Sequence, residues 1–310
     1  MMSKKGDNNG FWACVVIVVF AILLALLIYH VASQSRPKDR VEVRQHQTDA
    51  EKHSQTEAKK EPVVKADELQ PAAGVGSVVE IEDLEVPYFS DDEYVVVCEE
   101  GDYVFHYNTT YLQSDWVAYL LTRSDVVGQG VDRSDRFIAD DKVKEKGWDW
   151  VTTSDYTNSG YDRGHLCPSA DRNNTEIENR ATFYMSNISP QTPSLNRGVW
   201  KELEEQVREW AARYDSLYIV TGGVLNEDDL EMFNGIGVPK SFYKVIMAYE
   251  GGEWQSCGFL MPNIDNVEGE WSDYAVAVDE IEQVTGFDFY SKLSDGIEGG
   301  SENKIGAIFK

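Results

Sequence analysis

Residues 161–168 read YDRGHLCP, residues 185–191 read MSNISPQ, and Asn196, Glu204 and Arg208 follow at separations of eight and four. Residues four and eight apart fall on one side of a helix. The spacing therefore predicts a helix from Leu195 to about Tyr214 that presents these three polar residues together. Val199, Leu203, Val207, Trp210 and Ala211 make a buried stripe along the same helix. Taken singly, the polar residues are ordinary: Asn196 reads equally as an N-terminal helix cap, Glu204 as a solvated helix residue, and Asn187 as a turn residue ahead of Pro190. The window 157–201 nevertheless holds five Lys/Arg against four Asp/Glu in a chain of formal net charge −26. Locally it tolerates an anion.

Outward from this window, strand signals appear on both sides. Tyr94–Cys98 and Tyr103–Tyr107 predict a hairpin, and Trp116–Thr122 a further strand. Leu217–Thr221, Phe242–Tyr249 and Ser256–Met261 are the later candidates, the first ending at the Gly222, Gly223 pair. Strands before and after a central helix indicate an α+β layered domain with a central, mostly antiparallel sheet. With 42% hydrophobic and 12% aromatic residues among 310, the chain buries a sizeable core and is not disordered or collagen-like. Residues 81–310 hold 18 basic and 44 acidic residues, residues 80–102 hold no basic residue, and residues 245–291 contain no Lys or Arg. That balance excludes a broad basic nucleic-acid coat, so any nucleic-acid footprint is small. The acidity reads first as a soluble, self-repelling surface and second as an acidic protein-binding face.

The N-terminal third is organised differently. Phe11 to Tyr29 reads FWACVVIVVFAILLALLIY, without a charge. At about 1.5 Å per residue it nearly spans a hydrocarbon core about 30 Å thick. We read residues 1–10 as a short tail, 11–32 as a transmembrane helix, 33–84 as a flexible linker and 85–310 as the folded domain. A cleaved signal peptide is the alternative, but the apolar run exceeds the usual h-region. Lys4 and Lys5 precede the span while Arg36, Lys38, Arg40 and Arg44 follow it, which by flanking charge alone puts the C-terminal side in the cytoplasm. Cys14 lies in the span; Cys98, Cys167 and Cys257 remain, with no CxxC pair and no zinc-ligand spacing. A Cys98–Cys257 disulfide is open.

Of five histidines, His30, His46 and His53 fall at the membrane border or in the linker. His106 lies in an aromatic strand and reads as structural. His165 reads either as a satisfied core histidine or as a base, since an imidazole near its ordinary pKa accepts a proton at neutral pH; polar neighbours Asp162, Arg163 and Gly164 make a dry packing role awkward. Cys167 is a weaker candidate nucleophile, because no second histidine follows to pair with it. No GxSxG, HExxH, Walker A or GxGxxG pattern competes.

The ordered set Asp162-Arg163-Gly164-His165, Asn187, Asn196, Glu204 and Arg208 resembles the signature of the DNA/RNA non-specific endonucleases, the ββα-metal, endonuclease G-like family. Flanking segments share the likeness: WVAY at 116–119, RSDRF at 133–137 followed by Asp140, Val238-Pro239 before FYK at 242–244, and DEIE at 279–282 before TGFDF at 285–289. It covers roughly residues 100–290. The resemblance implies an α+β fold with a ββα-metal site and Mg²⁺-dependent hydrolysis of DNA and RNA, with Mn²⁺ as a substitute. It implies His165 as general base, Asn196 as the direct metal ligand, Glu204 holding the waters of the ion, and Asn187 orienting the site. Arg163, Arg133 and Arg208 are the candidates for clamping the phosphate, with Arg136 competing with Arg133; each also reads as a surface salt bridge. A cytoplasmic enzyme of this kind endangers its own genome, so the expectation is a bacterial inner-membrane protein, attached through residues 11–29, with its domain on the exported side. The rival expectations are a phosphodiesterase for a small molecule or lipid headgroup, and a catalytically silent nucleic-acid-binding module.

Overall fold

β-branched and aromatic residues dominate the segments that pair into the central sheet. Val95–Cys98 (β1) and Tyr103–Asn108 (β2) form the predicted hairpin, and Gln113–Thr122 (β3) follows. Two short strands come next, Asp162–His165 (β4) and Ile188–Gln191 (β5). Ser216–Gly223 (β6) returns to the sheet, Glu231–Phe233 (β7) and Ile236–Val238 (β8) make a small hairpin, and Ser241–Glu250 (β9), Glu253–Pro262 (β10) and Ala275–Val276 (β11) complete it. The seven-stranded sheet runs β1-β2-β3-β6-β9-β10-β11, with every neighbouring pair antiparallel. The computed structural model describes residues 81–88, 92–226 and 229–310. The predicted tail 1–10, the predicted span 11–32 and the linker as far as residue 80 lie outside the described residues. Among the described residues no helix is long and apolar enough to cross a membrane.

Each face of the sheet buries one set of alternate side chains. On one face the predicted stripe Val199, Leu203, Val207, Trp210 and Ala211 packs with Phe105, Val117, Ile219 and Ile246. On the other, Trp116, Ala118, Val220 and Val245 meet Val278 and Ile281 of the helix Val278–Thr285. Leu84 is fully buried in that second core, and the Ile81 amide donates to the Tyr218 hydroxyl at 3.3 Å. The domain thus includes residues just ahead of the predicted start at 85.

The predicted single helix from Leu195 is corrected. Pro193–Arg197 (α1) and Val199–Tyr214 (α2) are two helices broken at Gly198, whose φ of −105° and ψ of −122° are not helical. A Cβ at Gly198 would stand 2.5 Å from the Ser194 carbonyl oxygen, so the break requires glycine. The cap is Thr192, whose hydroxyl accepts from the Leu195 amide at 3.3 Å, with Pro193 at the first helical position. Asn196 is therefore no cap, and it lies on a different helix from Glu204 and Arg208. Val278–Thr285 (α3) and Asp295–Glu302 (α4) follow the sheet.

The open question about the cysteines is answered by burial. Cys98, Cys167 and Cys257 are free thiols, so no Cys98–Cys257 disulfide forms. Burial pushes Cys98 up to about 11. Cys167 is fully buried, and burial raises its thiol as well, which removes it as a nucleophile.

Candidate active site

The strand that carries the DRGH sequence pairs antiparallel with β5, with Asp162 opposite Gln191, Gly164 opposite Ser189 and His165 opposite Ile188. A Cβ at Gly164 would lie 2.2 Å from the Gln191 side-chain oxygen, so any larger residue there would push this buried side chain aside. The chain then passes through Thr192 into α1 and, after Gly198, into α2. This strand, strand, helix order brings Asp162, Arg163 and Asn196 to one cleft, which Phe137, Tyr156 and Tyr161 also line. Phe233 of the small hairpin braces its wall, stacking on Tyr161 at 5.6 Å and meeting Tyr156 edge-on at 5.4 Å.

Asp162 is the polar hub. It accepts from the Asn196 side-chain nitrogen at 2.9 Å, and the Arg197 guanidinium grips it through two nitrogens at 2.7 and 2.5 Å. Partial burial works to raise the Asp162 carboxyl, but the bonds from Arg197 and Asn196 outweigh it and hold the group below its ordinary value. Because an ionised carboxylate only accepts, the Asn196 nitrogen must be the atom facing it. The Asn196 oxygen is thereby turned away from Asp162, available as a hard ligand.

His165 lies one ring behind the cleft. Its imidazole sits 5.5 Å from the Phe137 ring and 4.8 Å, edge-on, from the Phe183 ring. Arg163 stacks over Phe137 at 4.4 Å and Arg133 over Phe183 at 5.0 Å, so each aromatic ring carries a guanidinium and also touches the histidine. Arg133 also donates to the Ser169 hydroxyl. Burial first, then the positive charges of Arg133 and Arg163, hold His165 well below its ordinary pKa. It is neutral at pH 7, and its Nε2 is buried without a hydrogen-bond partner among the described residues. A buried imidazole nitrogen that the protein leaves unsatisfied fits a water or a substrate oxygen better than a packing role.

The remaining predicted residues act from below. Asn187 is fully buried; its oxygen accepts from the Cys167 amide at 2.8 Å, and its nitrogen donates to the carbonyls of Cys167 at 2.9 Å and Thr182 at 2.8 Å. Two of these bonds hold the backbone at Cys167, two residues after His165, and the third ties Asn187 to Thr182. Arg208 is 5% exposed and ion-paired with Asp171 at 3.1 Å, while Tyr119 donates to the other Asp171 oxygen at 2.9 Å. One Arg208 nitrogen is thus engaged by a buried carboxylate. Arg136 is exposed and the ring contact belongs to Arg133. Glu204, half-buried on α2, and Asp171 sustain the charge of Lys244, although burial lowers that lysine overall. Lys244 is fully buried and donates to Thr221 at 2.6 Å.

Phe137, Phe183, Asp171, Arg197 and Lys244 were not singled out by sequence reasoning. Phe137 within RSDRF and Lys244 in an otherwise apolar strand were the visible signals. His106, expected to be structural, is held by Asp115 at 2.7 Å, and Asp115 is held in turn by Asn108 at 2.9 Å. The larger cavity that His106 and Asp115 line shares no residue with the cleft.

The Asn196 oxygen and the Glu204 carboxylate are hard donors of the kind that suit a hydrated divalent cation, so the residues present fit a metal such as Mg²⁺.

A profile of the DNA/RNA non-specific endonuclease family matches residues 88–296. A nuclease of Nostoc sp. is 36% identical over 225 residues, covering 69% of this chain and 79% of the relative. The mitochondrial endonuclease G of Homo sapiens is 31% identical over 204 residues, covering 62% and 68%. Among solved structures, a chain of an EndoG/EndoGI complex superposes with a TM-score of 0.56 at 28% identity, covering 67% of this chain and 90% of its own length.

Proposed function

We propose metal-assisted hydrolysis of DNA and RNA at the His165 cleft, from the premise that the chain belongs to the DNA/RNA non-specific endonuclease family and is one of its enzymes. The observation that carries the chemistry is the neutral, buried His165, whose Nε2 has no partner among the described residues, behind a cleft lined by Arg163 and Asn196. Phosphodiester hydrolysis needs a deprotonated water in line with the leaving oxygen and positive charge on the phosphoryl oxygens. His165 Nε2 takes the proton from that water, and the alkoxide that departs as the P–O bond breaks takes a proton from solvent. Arg163 at the cleft and Arg133 beyond Phe183 bear on the phosphate. Asn196 and Glu204 would hold Mg²⁺, or Mn²⁺ in its place, and the ion when bound supplies charge stabilisation at the phosphate. Asp162 fixes the Asn196 amide, Asn187 fixes the backbone beside His165, and Arg208 with Asp171 anchors α2 beneath them. The family resemblance implies cleavage that leaves 5′-phosphate ends.

Residues 11–29 are read as a single membrane anchor that holds the domain on the exported side of a bacterial inner membrane. The charge-free apolar run supports the anchor, and the hazard of a cytoplasmic nuclease supports the side. Protease added outside spheroplasts should digest the domain; protection until lysis would place it in the cytoplasm, as the flanking charges alone imply.

The test of the activity is degradation of supercoiled plasmid and single-stranded RNA by the purified chain with Mg²⁺, beside a small synthetic phosphodiester. Both nucleic acids should be cut, and chelator should stop the reaction. Cleavage of the small diester alone would establish the small-molecule reading, and absence of any cleavage the silent binding module.

A further inference from the structure

The stretch 245–291 contains no Lys or Arg, and nothing in the nuclease chemistry uses its carboxylates. Two of them, Asp279 and Glu282 on α3, meet Glu302 at the end of α4, and one oxygen from each lies within 4.8 Å of the others. Three carboxylates this close cannot all stay ionised unless a proton or a cation lies between them. Among the described residues, none of the three is paired with a Lys or Arg. Glu302 is the decisive member. It is 3% exposed, its Oε1 has no hydrogen-bond partner, and it faces the other two carboxylates. It is also the last residue of α4, where the helix dipole opposes a negative charge. A buried, unpartnered carboxylate at a helix C-terminus beside two more is unfavourable for folding alone.

We propose that Asp279, Glu282 and Glu302 form a divalent-cation site, fitted to Ca²⁺, that ties the C-terminal helix α4 to α3 and is separate from the cleft. The donor set is all oxygen, as a hard cation requires. A group no wider than 4.8 Å encloses one ion at bonds of about 2.4 Å, the length usual for calcium. Three carboxylates offer up to about six oxygens, matching the six to eight that calcium takes, whereas magnesium keeps several waters and is held by one or two carboxylates. The ligands are partly preset: Glu282 accepts from the Phe289 amide at 2.9 Å, and α4 is docked on β10 by the Ser256 hydroxyl donating to the Ser301 carbonyl at 2.9 Å. Asp288 and Glu298 stand near enough to add to the negative field at Glu302. Their charge, with that of the three ligands, is what a divalent ion would offset.

The experiment is a thermal melt of the full-length chain in detergent, stripped of metal, then titrated with Ca²⁺ at fixed Mg²⁺. At calcium about a hundredfold above its Kd the melting temperature should rise by about 5–10 °C. Asn196→Ala should keep the rise, because the cleft is a different place. Glu302→Gln should abolish it; glutamine preserves shape and removes one repelling charge, so the metal-free variant should melt no lower than the metal-free parent. If Glu302→Gln fails to fold, Asp279→Asn replaces it, with loss of the rise again expected. A melting temperature indifferent to calcium, a rise that survives Glu302→Gln or Asp279→Asn, or a rise lost in Asn196→Ala would each overturn the site.

Discussion

Asp162 and Glu302 are carboxylates in one acidic domain with opposite fates. Asp162 is gripped by the Arg197 fork and the Asn196 amide, and stays ionised. Glu302 is buried among further carboxylates; burial first, then Glu282 and Glu298, push it up to about 9. The contrast shows that a net charge of −26 is not spread evenly. At the cleft the chain compensates Asp162 with its own Arg197, and Arg133 and Arg163 stack on aromatic faces. At the C-terminal helices Asp279, Glu282 and Glu302 have no basic partner among the described residues, so a proton or, as proposed above, a cation supplies the compensation.

The sharpest break of this comparison is His165→Ala, which removes the group the compensated cleft exists to position. Turnover on plasmid and RNA should fall on the order of 10²–10⁴-fold, with the circular dichroism spectrum unchanged; near-normal turnover by folded protein would take His165 out of the mechanism. Next is Asp162→Asn. The Arg197 fork then loses its ionic partner and the Asn196 amide its fixed orientation. The Mg²⁺ needed for half-maximal activity should rise about 10–100-fold with kcat recovered at saturation, whereas an unchanged metal requirement would show that Asp162 is merely structural. The smallest effect concerns salt. If Arg133 and Arg163 alone neutralise phosphates, duplex binding by His165→Ala at fixed Mg²⁺ should fall with KCl at a log–log slope of about −1.8. A slope steeper than about −4 would require more cationic contacts than the cleft presents.

Much of the sheet and the apolar stripe of α2 were legible, because alternation and 3.6-residue spacing are local consequences of burial on one face. The break at Gly198 was hidden, since a lone glycine inside a helical pattern is tolerated; Thr192 and Pro193 held the true start signal. β4 and β5, four residues each, are too short to show a period. For the cleft, the motif pointed to residues that the structure brings together, Asp162, Arg163 and Asn196, but not to how they are held. Asn187 and Arg208 share the motif with His165, yet tertiary packing buries them under it. The rings of Phe137 and Phe183, which touch His165 and carry Arg163 and Arg133, come from distant parts of the chain, so no spacing rule exposes these contacts.

The central claim is that burial and two nearby guanidinium groups keep His165 neutral so that it serves as the base. Only the neutral ring accepts a proton, and its folded pKa lies below the ordinary value near 6.5; activity is therefore lost only as the pH falls through that depressed value. The direct measurement is kcat/KM on a short DNA duplex at saturating Mg²⁺ from about pH 8 down to about pH 5. The account predicts a profile that stays level through about pH 6.5, with its acid limb well below. An acid limb centred at or above about pH 6.5 would contradict it, because the base would then be a solvated imidazole or another group.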